Sequence, residues 1–84
     1  MKITVTQEDI NHAERRNACK CPIALAAKRI VGRSARVTHT HVEYTYENEI
    51  RYLSLNDTAK HFVVEFDGFR IVKPFEFEAH EVYI

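Results

Sequence analysis

Apolar positions recur along this chain with two different periods, and the clearest run is helical. In Cys19-Lys-Cys-Pro-Ile-Ala-Leu-Ala-Ala-Lys-Arg-Ile-Val-Gly32, Ile23, Ala26, Ala27 and Ile30 return at the spacing of a helix, and Ala24 and Leu25 widen the stripe. Pro22 suits the first helical position, where a missing N–H loses nothing. Lys28 and Arg29 fall in the last turn, where cations meet the negative end of the dipole, and Gly32 supplies a left-handed stop. So apolar a helix must be covered, and a sheet is the natural cover.

The period of two appears first in Lys2 to Val5, which predicts a short strand with Ile3 and Val5 on one face. Thr6 reads as an N-cap, Glu8 and Asp9 as a first helical turn, and Val5 with Ile10 as a hydrophobic staple. That helix is predicted to run through Ala13 to Arg15 and Arg16, and Asn17 to Lys20 breaks it. Ala35 to Tyr46 predicts one long strand, with Thr38, Thr40, Val42, Tyr44 and Tyr46 on one face and His39, His41, Glu43 and Thr45 on the other. Ile50 to Leu55 is its hairpin partner. A two-residue loop at Glu47-Asn48 would set Tyr44 opposite Arg51 and split the apolar face. A three-residue loop, Glu47-Asn-Glu49, sets Tyr44 opposite Tyr52 and is the expected register.

Ser54-Leu-Asn-Asp57 offers caps for a further helix, with Ala59, Phe62, Val63 and Phe66 inward, Lys60, His61 and Glu65 in water, and Gly68 as its end. Pro74 introduces a last strand at Phe75 to Ala79, with Phe75 and Phe77 inward, and residues 79–84 extend it or fray. The expected fold is α+β: a four-stranded antiparallel sheet with helices on one face, in the order β-α-β-β-α-β. A ferredoxin-like strand order is one form of it. No linker, repeat or low-complexity tract divides residues 1–84, so one domain is expected.

Charge changes the functional picture more than composition does. Twelve basic and twelve acidic residues cancel, which argues against a dominant phosphate-binding field and against an acidic nucleic-acid mimic. No run reaches membrane-spanning length, and Met-Lys-Ile-Thr-Val lacks a signal-peptide core. With two cysteines a single residue apart there is no disulfide framework, and a cytoplasmic location is expected.

Several groups are candidates for chemistry. His39 and His41 stand at i and i+2, a spacing that puts two imidazoles on one side of a strand, with Glu43 continuing the row. A solvated sheet face explains the same residues. Cys19 and Cys21 pair with His12 as metal or redox candidates, and Cys21 precedes a helix N-terminus that lowers a thiol pKa. Small buried hydrophobes are the simpler role for cysteines. Tyr44, Tyr46, Tyr52, Phe75 and Phe77 resemble a base-stacking platform only if they face solvent, which would drive His39, His41, Glu43 and Arg51 under the helices. Arg15, Arg16, Lys28 and Arg29, with Lys20 and Arg33, form a possible basic rim for nucleic acid. A Gly-rich phosphate loop, a nucleophile elbow and a triad are all missing from the sequence, so neither an enzyme nor a cofactor is expected.

Three blocks, Ile3-Thr-Val-Thr-Gln-Glu-Asp-Ile10, Cys21-Pro-Ile-Ala-Leu-Ala-Ala27 and Phe66-Asp-Gly68 followed by Val72-Lys-Pro-Phe-Glu-Phe77, resemble small bacteriophage- and prophage-encoded proteins of uncharacterised function. The resemblance spans most of the chain. It implies a phage accessory protein and assigns no residue a role; His39-Thr-His41 lies outside these blocks. The expected function is therefore non-catalytic docking on a host or phage protein, with inhibition of a host system as a special case and a homodimer as a further possibility. The expected docking face is His39, His41, Glu43, Arg51 and Leu53, with Leu55 beside them. A bulge turning Leu53 and Leu55 inward would remove it. Nucleic-acid binding through the basic rim, and a metal or redox role through Cys19 and Cys21 or His39 and His41, are the alternatives.

Overall fold

The computed structural model describes residues 1–83 and contains three helices and six strands: β1 (Lys2–Val5), α1 (Gln7–His12), α2 (Pro22–Val31), β2 (Arg36–Val37), β3 (His41–Tyr46), β4 (Glu49–Ser54), α3 (Asp57–Asp67), β5 (Phe75–Glu78) and β6 (Glu81–Val82). The fold is α+β and its strand pairs are antiparallel, as expected, but the strands form two sheets rather than one. β1 pairs with β5 alone, while the other sheet runs β2-β3-β4-β6. The β-α-β-β-α-β order is therefore incomplete: β2 and β6 are additional short strands, and the first strand does not join the hairpin sheet. The C-terminal segment ties the two sheets together. β5 lies on β1, the chain turns at Ala79 and His80, and β6 continues on β4, with Ser54 N–H donating to His80 O at 2.8 Å.

α2 packs against β1, β2 and β3, so it spans both sheets. Its small residues make this approach possible: Ala24, Ala26 and Ala27 are buried together with Ile23, whereas Ile30 turns out to be 44 % exposed. Pro22 is at its start, and Gly32 closes it at φ 98°. The helix is held from the side by a clamp. Thr6 and Asp9 form a capping box on α1, with Asp9 Oδ2 accepting from Thr6 N–H at 2.9 Å. Arg29 then reaches across from α2 to both Asp9 oxygens, at 2.5 and 2.7 Å, and to Thr4 O at 2.9 Å. Burial opposes the Asp9 charge, yet the bonds from Arg29 and Thr6 outweigh it and hold the carboxyl below its usual value. α1 stops at His12, short of the expected Arg16; the capping box starts it well, but Ala13 is already extended at ψ 157°.

Two corrections concern the hairpin region. The expected single strand from Ala35 to Tyr46 folds back on itself at Thr38 to Thr40, so that Arg36 pairs with Glu43 and Val37 with Val42. Thr38 causes the break: its hydroxyl accepts the N–H groups of Thr40 and His41, and its own N–H donates to His41 O at 2.9 Å. The second correction is the register. The loop has two residues, Glu47 and Asn48, with φ 50° and 65°, and it sets Tyr46 opposite Glu49, Tyr44 opposite Arg51 and Val42 opposite Leu53. Two positive φ values are those of the type I′ turn, whose twist matches that of a hairpin. The three-residue loop is thus replaced, and β4 shows its other face to the core: Leu53 is 2 % exposed and Leu55 3 %. No bulge is needed to turn them inward.

α3 follows the expected stripe, with Asn56 as its cap and Ala59, Phe62 and Phe66 buried. Phe62 stacks toward Phe75 at 4.7 Å and Phe75 toward Phe77 at 5.6 Å, which joins α3 to the β1-β5 sheet. The expectation for the far C-terminus includes Ile84, which lies outside the described residues.

Candidate functional site: the outer face of the four-stranded sheet

Alternation along β2, β3, β4 and β6 sorts their side chains onto two faces. Val37, Val42, Tyr44 and Leu53 face inward and are buried. The outer face carries Arg36, His41, Glu43, Thr45, Ile50, Tyr52, Ser54 and Val82, and none of these is buried. Cross-strand pairing arranges them in rows. One row crosses the whole sheet as Arg36, Glu43, Tyr52 and Val82, and the next places Thr45 beside Ile50. The His41 ring meets the Tyr52 ring edge-on, 4.9 Å between centroids, while Thr40 Oγ1 lies 2.9 Å from His41 Nδ1. Ile50, 59 % exposed, is the largest aliphatic group left open on this face. At the β6 side, Ile50, Tyr52, Glu81, Val82 and Tyr83 line a shallow cleft together with Arg51. The arrangement offers an apolar and aromatic centre with opposite charges at its rim, the composition of a protein-binding patch.

Only part of the expected docking face is found here. His41 and Glu43 belong to it. Leu53 is a core residue, and Arg51 shares its inward parity. Arg51 lies at the margin of that side, over the Tyr46 ring at 5.2 Å, 3.6 Å from Glu49 and 3.4 Å from Glu81. Its Nε is buried without a hydrogen-bond partner among the described residues. His39 precedes the strand and lines a separate cleft of about 290 Å³, whose wall includes Cys21, Thr38 and Asp67. The two histidines therefore do not share a strand face, since the Thr38 turn separates them. Ile50, Tyr52 and Val82 were hidden by the parity of the loop. The signal for them is Asn48, a residue that tolerates the positive φ of a two-residue turn.

The remaining candidates lie elsewhere in the fold. Arg15 lies over the rings of Phe66 and Phe69, at 4.9 and 4.5 Å, and its Nε donates to Phe66 O. Arg16 N–H donates to Asp67 Oδ1, Lys28 Nζ to Cys19 O at 2.6 Å, and Arg29 closes the Asp9 clamp. The side chains of Arg15, Lys28 and Arg29 thus bond within the fold, whereas Arg16 does so through its backbone N–H. Cys21 caps α2, its Sγ accepting from Ala24 N–H at 3.4 Å. Burial dominates there and pushes the thiol up to about 11, opposite to the expected effect of a helix N-terminus. Cys19 is exposed and free, and His12 Nδ1 lies 2.9 Å from Glu8 O. Among the described residues, no three His, Cys, Asp or Glu side chains converge as a metal site, and no helix is long and apolar enough to cross a membrane. No protein-family model matches the chain, and no curated protein or solved structure matches it either, so the reading of its role rests on the sheet face itself.

Proposed function

We propose that this chain is a small non-catalytic accessory protein, phage-encoded and active in the bacterial host cytoplasm, that docks on another protein of the phage or its host through the outer face of the four-stranded sheet. The observation that carries this reading is the patch of Ile50, Tyr52, Val82 and His41, left open on a face where no residue is buried. Tyrosine and isoleucine supply contact area at small entropic cost, and Arg36 and Glu43 set orientation at the rim. Phage origin is supported by the three resembling sequence blocks alone. Inhibition of a host system is one form such docking takes.

The test compares affinity capture from nuclease-treated host lysate by the native chain, Ile50→Asp and Tyr52→Ala, with circular dichroism confirming each fold and sedimentation reporting self-association. The reading expects one protein, bound near stoichiometry by the native chain and lost with both folded variants. Retention by the variants contradicts it. A homodimer broken by Ile50→Asp would replace the foreign partner with a second copy.

A further inference from the structure

α3 ends in a motif whose demanding position is held by the wrong kind of residue. Arg70 N–H donates to Glu65 O at 2.9 Å and Phe69 N–H to Phe66 O at 3.1 Å, the two bonds of a Schellman stop. The left-handed position of that stop normally takes glycine. Here Gly68 stands one residue early at φ −86°, and Phe69 takes φ 64°. A Cβ at Gly68 would sit 3.2 Å from Val64 O, a tight contact. Phe69 gains no burial in return, since it remains 70 % exposed. A bulky side chain in a costly backbone conformation on open surface calls for a use outside the monomer.

Its surroundings say what kind of use. The Arg15 guanidinium stacks between Phe66, which is buried, and Phe69, so the exposed ring is fixed to the core through a cation. Two residues on, Ile71 is 97 % exposed. Arg70 and Lys73 flank it, and residues 68–73 contain no acid. Of the acids closest in sequence, Asp67 accepts from the Arg16 N–H, Glu65 lies 2.9 Å from His61 and Glu76 lies 3.7 Å from Lys2. We infer that residues 69–73 are a second docking element, in which Phe69 and Ile71 are preorganised apolar anchors and Arg70 and Lys73 select an acidic, apolar segment of a partner protein. A ring locked by stacking suits a protein pocket, where rigid aromatic and arginine anchors dominate affinity. The element shares no residue with the sheet face, so either can fail alone.

The experiment selects binders to the immobilised full chain from a random twelve-residue peptide library, then measures their affinity for Phe69→Asn, Arg70→Glu with Lys73→Glu, and Ile50→Asp. Asparagine tolerates the left-handed backbone, so Phe69→Asn removes the ring while relieving strain. Expected are peptides rich in Asp or Glu with aromatic or aliphatic residues, weakened about tenfold or more by Phe69→Asn and by the charge reversal, unaffected by Ile50→Asp, and weakened by salt. Failure to enrich any peptide, peptides without acids, or equal binding to Phe69→Asn overturns the inference. So does Phe69-dependent sedimentation with vesicles containing phosphatidylserine in the absence of peptide binding, which would assign the element to lipid.

Discussion

On the inner side of the β3-β4 hairpin, Val42 and Leu53 face each other at 0 % and 2 % exposure, while one residue along, Glu43 and Tyr52 form a half-open pair on the outer side. Both pairs belong to the same two strands of one hairpin. What differs is parity, and parity is set by whether the loop counts two residues or three. The inner pair is worth about 2 kcal/mol per buried side chain, whereas the outer pair contributes little to folding and stays half-exposed.

The largest expected effect breaks the inner side. Leu53→Asp places an unpaired charge beside Val42 and is expected to cost about 4 kcal/mol or more, enough to abolish cooperative unfolding in a domain of this size, as urea titration followed by circular dichroism would show. Next comes the clamp that keeps α2 over that side. Asp9→Ala removes the capping box and the Arg29 bond together, and is expected to cost about 2 kcal/mol. Its pH dependence follows from the lowered carboxyl value. Stability from Asp9 is present in full above its unfolded pKa near 3.8 and is lost as pH falls through the still lower folded value. The gap between native and Asp9→Ala proteins should therefore be constant from pH 7 to pH 5 and close below pH 4, a trend read from urea midpoints.

A smaller change sharpens the comparison instead. Glu47→Asn with Asn48→Gly suits both positive φ positions and is expected to add about 0.5–1 kcal/mol, visible as a rise in Tm. A three-residue loop would gain nothing. The smallest effect on stability belongs to the outer side: Ile50→Asp is expected to shift unfolding by no more than about 0.5 kcal/mol while removing binding.

How far the sequence carried follows the same division. Wherever one local signal decided, as with Pro22 and Gly32 around α2, the Thr6 cap of α1 or the stripe of α3, the elements were legible. The hairpin failed because the alternation in Tyr44, Tyr46, Ile50 and Tyr52 rewards a register that groups aromatics, whereas the turn chemistry of Glu47 and Asn48 and the burial of Leu53 and Leu55 select another. Thr38 hid a turn inside a β-rich run, since a hydroxyl that accepts two backbone N–H groups leaves the alternation intact. Of the residues expected on one face, His41 and Glu43 share the outer side, Arg51 and Leu53 take the inner parity, and His39 lies in the Thr38 turn. The occupation of Arg15 and Arg29 was invisible, because Phe66 and Asp9 are 51 and 20 residues away from them.

The register is the central claim, and cross-strand α-proton contacts in the NMR spectrum of the native chain test it most directly. The account predicts contacts between Glu43 and Tyr52 and between Thr45 and Ile50. Contacts pairing Tyr44 with Tyr52 and Tyr46 with Ile50 instead would contradict it, and would return Leu53 to the outer face.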